Sequence, residues 1–402
     1  MACIMTQAIQ QRVNEIQRAL CDAEIDGWLF YDFRGSDPLA YRILQLDPTL
    51  HVTRRWYYWI PAQGIPVKLL HRIEPHVLDT LPGQTHYYVS WEQQRQILAR
   101  MLASGLRVAM QYSPLNAVPY VSRVDAGTIE LIRSYEVEVV SAADLIQTFE
   151  ARWTDRQLES HQFAATALRR IVDQTFGHVQ DAVVHGRSLT EYGVQQFILA
   201  RIREAGMVTS SAPIAAVNAH SADPHYGPAE TGSAEVVRDA LLLIDLWAKR
   251  AETGSVYADI TWTSYVGSTV PVQHREIFDL VRHGRDAALT FVQREIAAGH
   301  RPFGWEVDDA CRQVIQRGGY GDQFVHRTGH SIGEEVHGNG ANIDSLETRD
   351  TRRLIPRTCF SIEPGIYLPG EFGIRSELDV YLTEREALVF GLPLQNELVP
   401  LF

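Results

Sequence analysis

Hydrophobic and polar positions follow two different periods along the first 150 or so residues. Apolar and aromatic runs such as DGWLFYDF, RRWYYWIP and THYYVS suit short strands, whereas QQRVNEIQRALCDA and WEQQRQILARMLAS have the spacing of amphipathic helices. Strands that alternate with helices predict an α/β fold for this part of the chain.

The pattern changes at Thr154, where a long amphipathic segment begins, TDRQLESHQFAATALRRIVDQTFGHVQDAVVHG. Thr154 or Asp155 is placed to cap this segment as a helix. We take the helix as the start of a second domain, so the predicted domains are residues 1–152 and 153–402.

Further helices and strands are predicted in the second domain. Ser188 and Glu191 have the spacing of a capping box ahead of EYGVQQFILARIREAG, and helices are expected at about 273–298 and 305–317. The remaining apolar runs are strand-like, namely ALLLIDLWA, VYADITWTSYVG, RTCFSIEPG and GIRSELDVYLT.

Acidic residues stand in these strand-like runs. Asp245 interrupts LLLIDLW and Glu363 ends CFSI, while a two-residue period puts Asp259 and Glu377 on the polar faces of their strands. A buried carboxylate is costly unless it is paired or coordinates a cation. Each acid alone could be a satisfied buried carboxylate or a strand end in water. Together with nearby histidines, they favour a site for Mn, Co, Fe or Zn.

The spacing of the acids adds a geometric expectation. Asp245 and Asp259 are 14 residues apart, and so are Glu363 and Glu377. Each pair could lie on adjacent antiparallel strands joined by a loop, with converging side chains. Two metal ions that share bridging carboxylates would account for so many acidic residues in one place.

Composition narrows the class of protein. The 402 residues are 45% hydrophobic and 21% charged, with a net charge of -12, which is typical of a soluble globular protein and gives no sign of a nucleic-acid partner. The sequence shows neither a signal peptide nor an apolar run of about 18 residues that could span a membrane. The four cysteines include no CxxC pair. We therefore expect a cytoplasmic protein without nucleic-acid or membrane partners.

The stretch HRTGHSIGEEVHG places His326, His330 and His337 at intervals of four and seven, among glycines that do not suit one helix. Over the C-terminal domain the order of motifs is an Asp in an apolar strand, then YxD, GHxIGxxVH, SIEPGIY and IRxE. This order resembles the pita-bread metallopeptidases, the family of methionine aminopeptidase, aminopeptidase P and prolidase. The N-terminal domain resembles, more weakly, the creatinase/prolidase N-terminal domain, which points to the proline-specific branch.

The resemblance implies a centre of two divalent metals, Mn first, with Zn or Co as alternatives. Its implied ligands are Asp245, Asp259, His330, Glu363 and Glu377. Glu363 would also move the proton during catalysis. His337 and His225, in NAHSADPHYGP, would contact the substrate as catalytic hydrogen-bond donors. In the same segment, His220 has no family counterpart and is interpreted as a loop histidine.

Further residues are implied around the metals. His326 would lie near the proline ring, and Arg349 would bind the C-terminal carboxylate of a dipeptide; the alternative for Arg349 is a solvated charge. The neighbours Arg352 and Arg353 are expected to be solvated. The residues implied to orient the carboxylates are Arg375, Tyr367 and Tyr257.

Some positions depart from the family pattern. The loop between Asp245 and Asp259 is longer than usual, and Trp262 stands where a cation beside the site is expected. The usual PGM before the SIEPG strand is replaced by PRT at 356–358.

The function implied is hydrolysis of Xaa-Pro dipeptides by a metal-bridging hydroxide, in a homodimeric prolidase. The alternative within the enzyme class is aminopeptidase P, which acts on longer peptides. A metal-free binding module on the same fold is the alternative from another class.

Overall fold

The computed structural model describes residues 2–402, with side chains from residue 7 onward. The chain forms two compact units, one up to Glu150 and one from Ala151 to Phe402. The division lies next to the boundary expected between residues 152 and 153. Among the described residues, no helix combines the length and the apolar character needed to cross a bilayer.

The N-terminal unit is a mixed sheet flanked by helices. The strands follow the order β4-β3-β2-β1-β5-β6 across the sheet. Their bounds are β1 Gly27–Asp32, β2 Trp56–Pro61, β3 Val67–His71, β4 Gln84–Tyr88, β5 Arg107–Met110 and β6 Glu138–Ser141. The helices are α1 Ala2–Asp22, α2 Pro38–Leu44, α3 Trp91–Met101, α4 Ala126–Arg133 and α5 Ala143–Ile146.

The aromatic run of β2 explains why this sheet is covered on both faces. Trp56 and Tyr58 pack in a cluster with residues of α1 and α2, whereas Tyr57 and Trp59 pack in a cluster with residues of α3 and α4. Successive side chains of a strand point to opposite faces, so a continuous apolar run requires helices on both sides.

The C-terminal unit has long helices around antiparallel strands. The helices are α6 Asp155–Val184, α7 Glu191–Glu204, α8 Val272–Ala297 and α9 Gly304–Arg317. The strands are β7 Met207–Val208, β8 Ile214–Val217, β9 Leu241–Arg250, β10 Ala258–Tyr265, β11 Ser331–Ile332, β12 Cys359–Ile362, β13 Gly365–Leu368, β14 Phe372–Arg375, β15 Leu378–Leu382, β16 Ala387–Val389 and β17 Val399–Pro400.

The strands of this unit belong to separate sheets. One has the order β17-β10-β9-β7, with β8 also paired to β9, a second has the order β11-β12-β15-β16, and β13 pairs with β14. One hydrophobic core lies between α6, α7 and the β9-β10 strands, and another lies between α8, α9 and strands β12, β14 and β15. The site described below is built from the polar faces of these strands.

The helix starts confirm one predicted cap and correct the other. Thr154 caps α6 in a capping box with Gln157. The expected capping box of Ser188 with Glu191 is wrong, because the cap of α7 is Thr190, whose side chain accepts a hydrogen bond from the Gly193 backbone. Ser188 instead donates to Glu235 at 2.9 Å.

This correction predicts different effects at two neighbouring hydroxyls. Thr190→Ala should lower the free energy of unfolding by about 1 kcal/mol, because the backbone N–H of Gly193 loses its acceptor. Ser188→Ala is the matched control and should change it by less than about 0.5 kcal/mol. Urea denaturation followed by circular dichroism measures both, and a larger loss for Ser188→Ala would restore Ser188 as the cap.

Candidate metal centre

Strands β9 and β10 place Asp245 and Asp259 on one face of their sheet. The strands are antiparallel, and their register pairs Asp245 with Thr261 and Trp247 with Asp259. Residues two apart share a face, so the two acids lie diagonally across the pair. The adjacent antiparallel strands expected from the sequence are therefore present.

Glu363 and Glu377 are brought together in the same way by β12 and β15. Ile362 and Leu378 are opposite each other in this antiparallel pair, so the two glutamates directly continue the ladder at one end. The run that alternates from residue 375 to 383 is divided between β14 and β15, with Ser376 and Glu377 between them. The β13-β14 hairpin occupies the connection.

Asp259, His330 and Glu377 form a buried group whose potential ligand atoms all lie within 4.8 Å of one another. Nε2 of His330 is 3.8 Å from Oδ2 of Asp259 and 3.3 Å from Oε1 of Glu363. Asp245 is not a member of this group, and its Oδ2 accepts a hydrogen bond from Arg375 at 2.5 Å. Three of the implied ligands thus converge most closely, with Glu363 beside His330.

The electrostatics of the group fit a bound cation. Burial raises the pKa of Asp245, and it raises those of Asp259 and Glu377 well above their usual values. Each of these carboxylates also has one buried oxygen without a hydrogen-bond partner. A divalent cation would compensate the charge and occupy those oxygens.

His330 is prepared as a neutral ligand. Burial lowers its pKa to about 3. Its Nδ1 lies 3.1 Å from the carbonyl oxygen of Ser331, to which an N–H can donate, so Nε2 keeps its lone pair on the side of the acids. A backbone hydrogen bond that fixes the tautomer in this way is typical of metal-binding histidines.

Thr261 and Asp379 hold the carboxylates in place, and neither was identified from the sequence. The hydroxyl of Thr261 donates to Oε2 of Glu377 at 2.7 Å and accepts from Nε of Arg375 at 3.0 Å. Oδ2 of Asp379 accepts from the backbone N–H of Asp259 at 2.8 Å. The signal was present, since the two-residue period places Thr261 with Asp259 and Asp379 with Glu377.

Arg375 and Tyr367 connect the acids to His326. Arg375 donates to the Tyr367 hydroxyl at 3.0 Å, and that hydroxyl lies 2.8 Å from Nε2 of His326. Nδ1 of His326 faces the Arg327 carbonyl at 2.7 Å. Burial lowers the pKa of His326 to about 4, so the ring is neutral and both nitrogens are engaged within the protein. A substrate would meet the carbon edge or face of this ring.

His337 and His225 lie at the exposed edge of the site. The His337 ring meets the His330 ring edge-on, with centroids 4.3 Å apart and an angle of 82°. The backbone N–H of His225 donates to Asp223 at 3.0 Å, which helps to fix its loop. Both histidines can therefore offer a ring N–H to a bound molecule.

A buried carboxylate organises the segment that carries His225. Glu191 is fully buried and accepts from the backbone N–H groups of Val217 at 2.7 Å and Ala234 at 2.8 Å. It also accepts from the Tyr226 hydroxyl at 2.6 Å and lies 2.9 Å from Nδ1 of His220. His220 therefore belongs to this polar cluster, which the sequence interpretation missed by treating it as a loop residue.

Two expectations around the strands are corrected. Trp262 does not stand beside the site, because it projects from the opposite face of β10 into the core under α6, where the Arg169 guanidinium lies 3.9 Å from its ring centroid. Tyr257 contributes its ring to a hydrophobic cluster, and its hydrogen bonds, to Gly333 and from His161, come from its backbone. We therefore attribute the orientation of Asp259 to Asp379.

The arginines upstream of Glu363 differ in environment. Arg349 is exposed, with its guanidinium 4.3 Å from the Trp305 ring centroid. Arg352 was expected to be solvated but is 3% exposed and pairs with buried Asp350 at 2.6 Å. Arg353 is exposed and donates to the Arg301 carbonyl. Arg352 also donates to the Asn339 carbonyl at 2.9 Å, so it connects two parts of the loop between β11 and β12.

Comparison with known proteins places the chain in a family. Residues 159–384, more than half of the chain, match metallopeptidase family M24. The chain belongs to this family.

Individual relatives match in part. The chain is 32% identical over 177 residues to the Xaa-Pro dipeptidase of Lactobacillus helveticus, and the match spans 44% of each protein, less than half the length of this curated relative. Among solved structures, dipeptidase PepE from Mycobacterium ulcerans is similar at a TM-score of 0.70 and 24% identity, over 98% of this chain and 99% of that one. The likeness shows the pita-bread fold of the C-terminal unit, preceded by an N-terminal α/β domain.

A further structure describes an enzyme with a di-nuclear active site. The X-prolyl aminopeptidase of Caenorhabditis elegans, a cytosolic enzyme, is similar at a TM-score of 0.62 and 18% identity, over 96% of this chain and 63% of that one. At this identity the likeness concerns the fold.

The Glu191 cluster leads to a stability prediction. Glu191→Gln should lower the free energy of unfolding by about 1–3 kcal/mol, because an amide nitrogen would face a buried backbone donor. Urea denaturation measures this loss, and limited proteolysis should show faster cleavage within residues 217–234. Glu204→Gln, on the exposed end of the same helix, is the control and should change neither readout. Equal behaviour of the two variants would contradict a bracing role for Glu191.

Proposed function

We propose that this protein hydrolyses Xaa-Pro dipeptides with two divalent metal ions, Mn²⁺ first. The observation that carries the proposal is the buried group of Asp259, His330 and Glu377, whose free carboxylate oxygens and neutral imidazole suit a divalent cation. Membership of metallopeptidase family M24 supports it, and so does the similarity to an Xaa-Pro dipeptidase over part of the chain.

The proposed ligands are Asp245 and Glu363 in addition to these three. Asp245 retains a buried Oδ1 without a partner, and Glu363 approaches His330, so both can complete a second position. Bound divalent metals supply Lewis-acid activation of the scissile carbonyl and lower the pKa of water to make a nucleophile at neutral pH.

The residues of the chain itself supply proton transfer and charge stabilisation. Glu363 takes a proton from the attacking water and passes it to the proline nitrogen, which must be protonated to leave. Ser361 donates to Oε1 of Glu363 at 3.0 Å and fixes that carboxylate. His225 and His337 donate to the oxygen that becomes negative in the transition state, a role in which one donor is worth about 2.7–4 kcal/mol.

The size of the substrate depends on recognition of its C-terminus. A dipeptidase binds the carboxylate directly after proline, and a guanidinium can hold both of its oxygens. We assign this role to Arg349, whose exposed side chain rests on Trp305 and can leave that ring to meet an anion. The carbon edge of His326 faces the proline ring.

The N-terminal unit, the cellular location and the oligomeric state are also part of what we propose. The N-terminal unit would act as a creatinase/prolidase-like domain, and the protein would work in the cytoplasm as a homodimer. Gel filtration with light scattering tests the dimer, for which a monomeric mass would be the contrary result.

The metal site predicts a division among the histidines. His330→Ala should lose bound Mn²⁺, because it removes a ligand, whereas His337→Ala and His225→Ala should keep the metal and lose about 10²–10³-fold in kcat. Metal content by mass spectrometry and kcat with Ala-Pro distinguish these effects. Equal loss of metal in all three variants would show that the roles are divided wrongly.

A preference for dipeptides over longer peptides can be tested with Ala-Pro and Ala-Pro-Ala. With Mn²⁺ supplied, the protein should cleave Ala-Pro much faster than Ala-Pro-Ala. Arg349→Ala should raise KM for Ala-Pro by about 10- to 150-fold, the worth of a charged hydrogen bond, and leave the tripeptide unaffected. Arg353→Ala is the matched control. If both peptides are cleaved equally and Arg349→Ala changes neither rate, the protein is better described as an aminopeptidase P.

A further inference from the structure

Trp247 stands in an unusual place for a large apolar side chain. It follows Asp245 by two residues on β9, so it shares the face of that acid, and its partner across the strand pair is Asp259. Its side chain is only partly buried, whereas the residues on either side of it are buried. An indole is therefore present on the polar face of the strands that carry the metal centre.

The ring packs against two apolar clusters. The first, which we name the Leu243 cluster, consists of Ile214, Ala216 and Leu243, and Tyr226 also packs against it. The second, the Ile332 cluster, consists of Trp153, Val256, Tyr257, Ile332, Cys359 and Tyr381, and Val336 also packs against it. Trp247 thus joins two apolar clusters of buried residues.

These clusters underlie the two segments that carry the exposed histidines. Tyr226 directly follows His225, and Val336 directly precedes His337. In each segment the apolar residue packs down onto a cluster while the neighbouring histidine is exposed. Trp247 therefore packs against the same two clusters as the residues next to the histidines that would contact a substrate.

The position of Trp247 also indicates which part of a dipeptide it meets. His326, Tyr367 and Arg375 extend from Asp245 and Thr261, which form one cross-strand pair. Trp247 and Asp259 form the pair one step beyond, away from Arg375. A dipeptide has one residue on each side of its scissile bond. If proline occupies the His326 side, the first residue occupies the Trp247 side.

We propose that Trp247, with Tyr226 and Val336, forms an apolar wall for the side chain of the first residue and gives the enzyme a preference for Leu-Pro over Gly-Pro. This inference rests on the proposed function, because it specifies the substrate class of the same site. The physical basis is that an apolar side chain packed against the wall removes its own surface and that of the indole from water.

The test compares dipeptides on the Mn²⁺-loaded protein. The wild type should show a kcat/KM for Leu-Pro about 10- to 100-fold above that for Gly-Pro, the range over which an apolar pocket discriminates added methylenes. Trp247→Ala should reduce this ratio to about threefold or less, and Trp247→Phe should give an intermediate ratio. The phenylalanine variant also keeps the test valid if the alanine variant fails to fold.

Two controls separate recognition from damage. Trp262→Phe alters a tryptophan on the adjacent strand that faces the opposite core, and its Leu-Pro to Gly-Pro ratio should equal that of the wild type. The dissociation constant for Mn²⁺, measured by titration calorimetry, should be the same in the wild type and both Trp247 variants. Weaker Mn²⁺ binding in the Trp247 variants would assign the residue to the metal site and overturn the wall.

The failure of this inference is distinguishable from failure of the proposed function. If the loaded wild type cleaves no Xaa-Pro dipeptide, the proposed function fails and the wall with it. If it cleaves both dipeptides with similar kcat/KM, or if Trp247→Ala leaves the ratio unchanged, the wall alone is overturned.

Discussion

The structure of the site depends on the cost of burying carboxylates in strands. Asp245, Asp259 and Glu377 are each at most 8% exposed, and burial raises the pKa of each carboxyl group. Arg375 compensates part of this charge and links β9, β10 and β13 through Asp245, Thr261 and Tyr367. The remaining unpaired oxygens suit a cation, and the pairing of the strands is what brings them together.

Buried polar groups outside the site carry out a similar task for the loops. Glu191 ties together the segment around His225, and the Asp308–Arg312 pair on α9 holds the segment before His330. Arg312 donates to the carbonyls of Phe324 and His326, and Asp308 accepts from the Thr328 backbone at 2.8 Å. Fully bonded buried networks specify one loop conformation, so the histidines are positioned by residues that make no contact with a substrate.

The effect of each tryptophan on the site depends on the face of the strand from which its side chain projects. Trp262 packs into the core under Arg169 and leaves the polar face unchanged. This departure from the family pattern therefore affects core packing and not the chemistry of the site. Trp247, which was not identified from the sequence, lies on the polar face and packs against the same clusters as Tyr226 and Val336. The face of the strand on which a tryptophan lies therefore separates a core residue from a candidate specificity residue.

The sequence by itself determined the α/β class, the long helices, the paired acidic strands and the histidine motif, because each depends on local periodicity or on short motifs. It could not show that Thr261 and Asp379 hold the carboxylates, since those contacts join residues more than 100 positions apart. It also could not distinguish a buried Arg352 from an exposed Arg349, or a capping Thr190 from Ser188. These outcomes depend on which groups the tertiary fold removes from water, and on which partners it brings within hydrogen-bond distance.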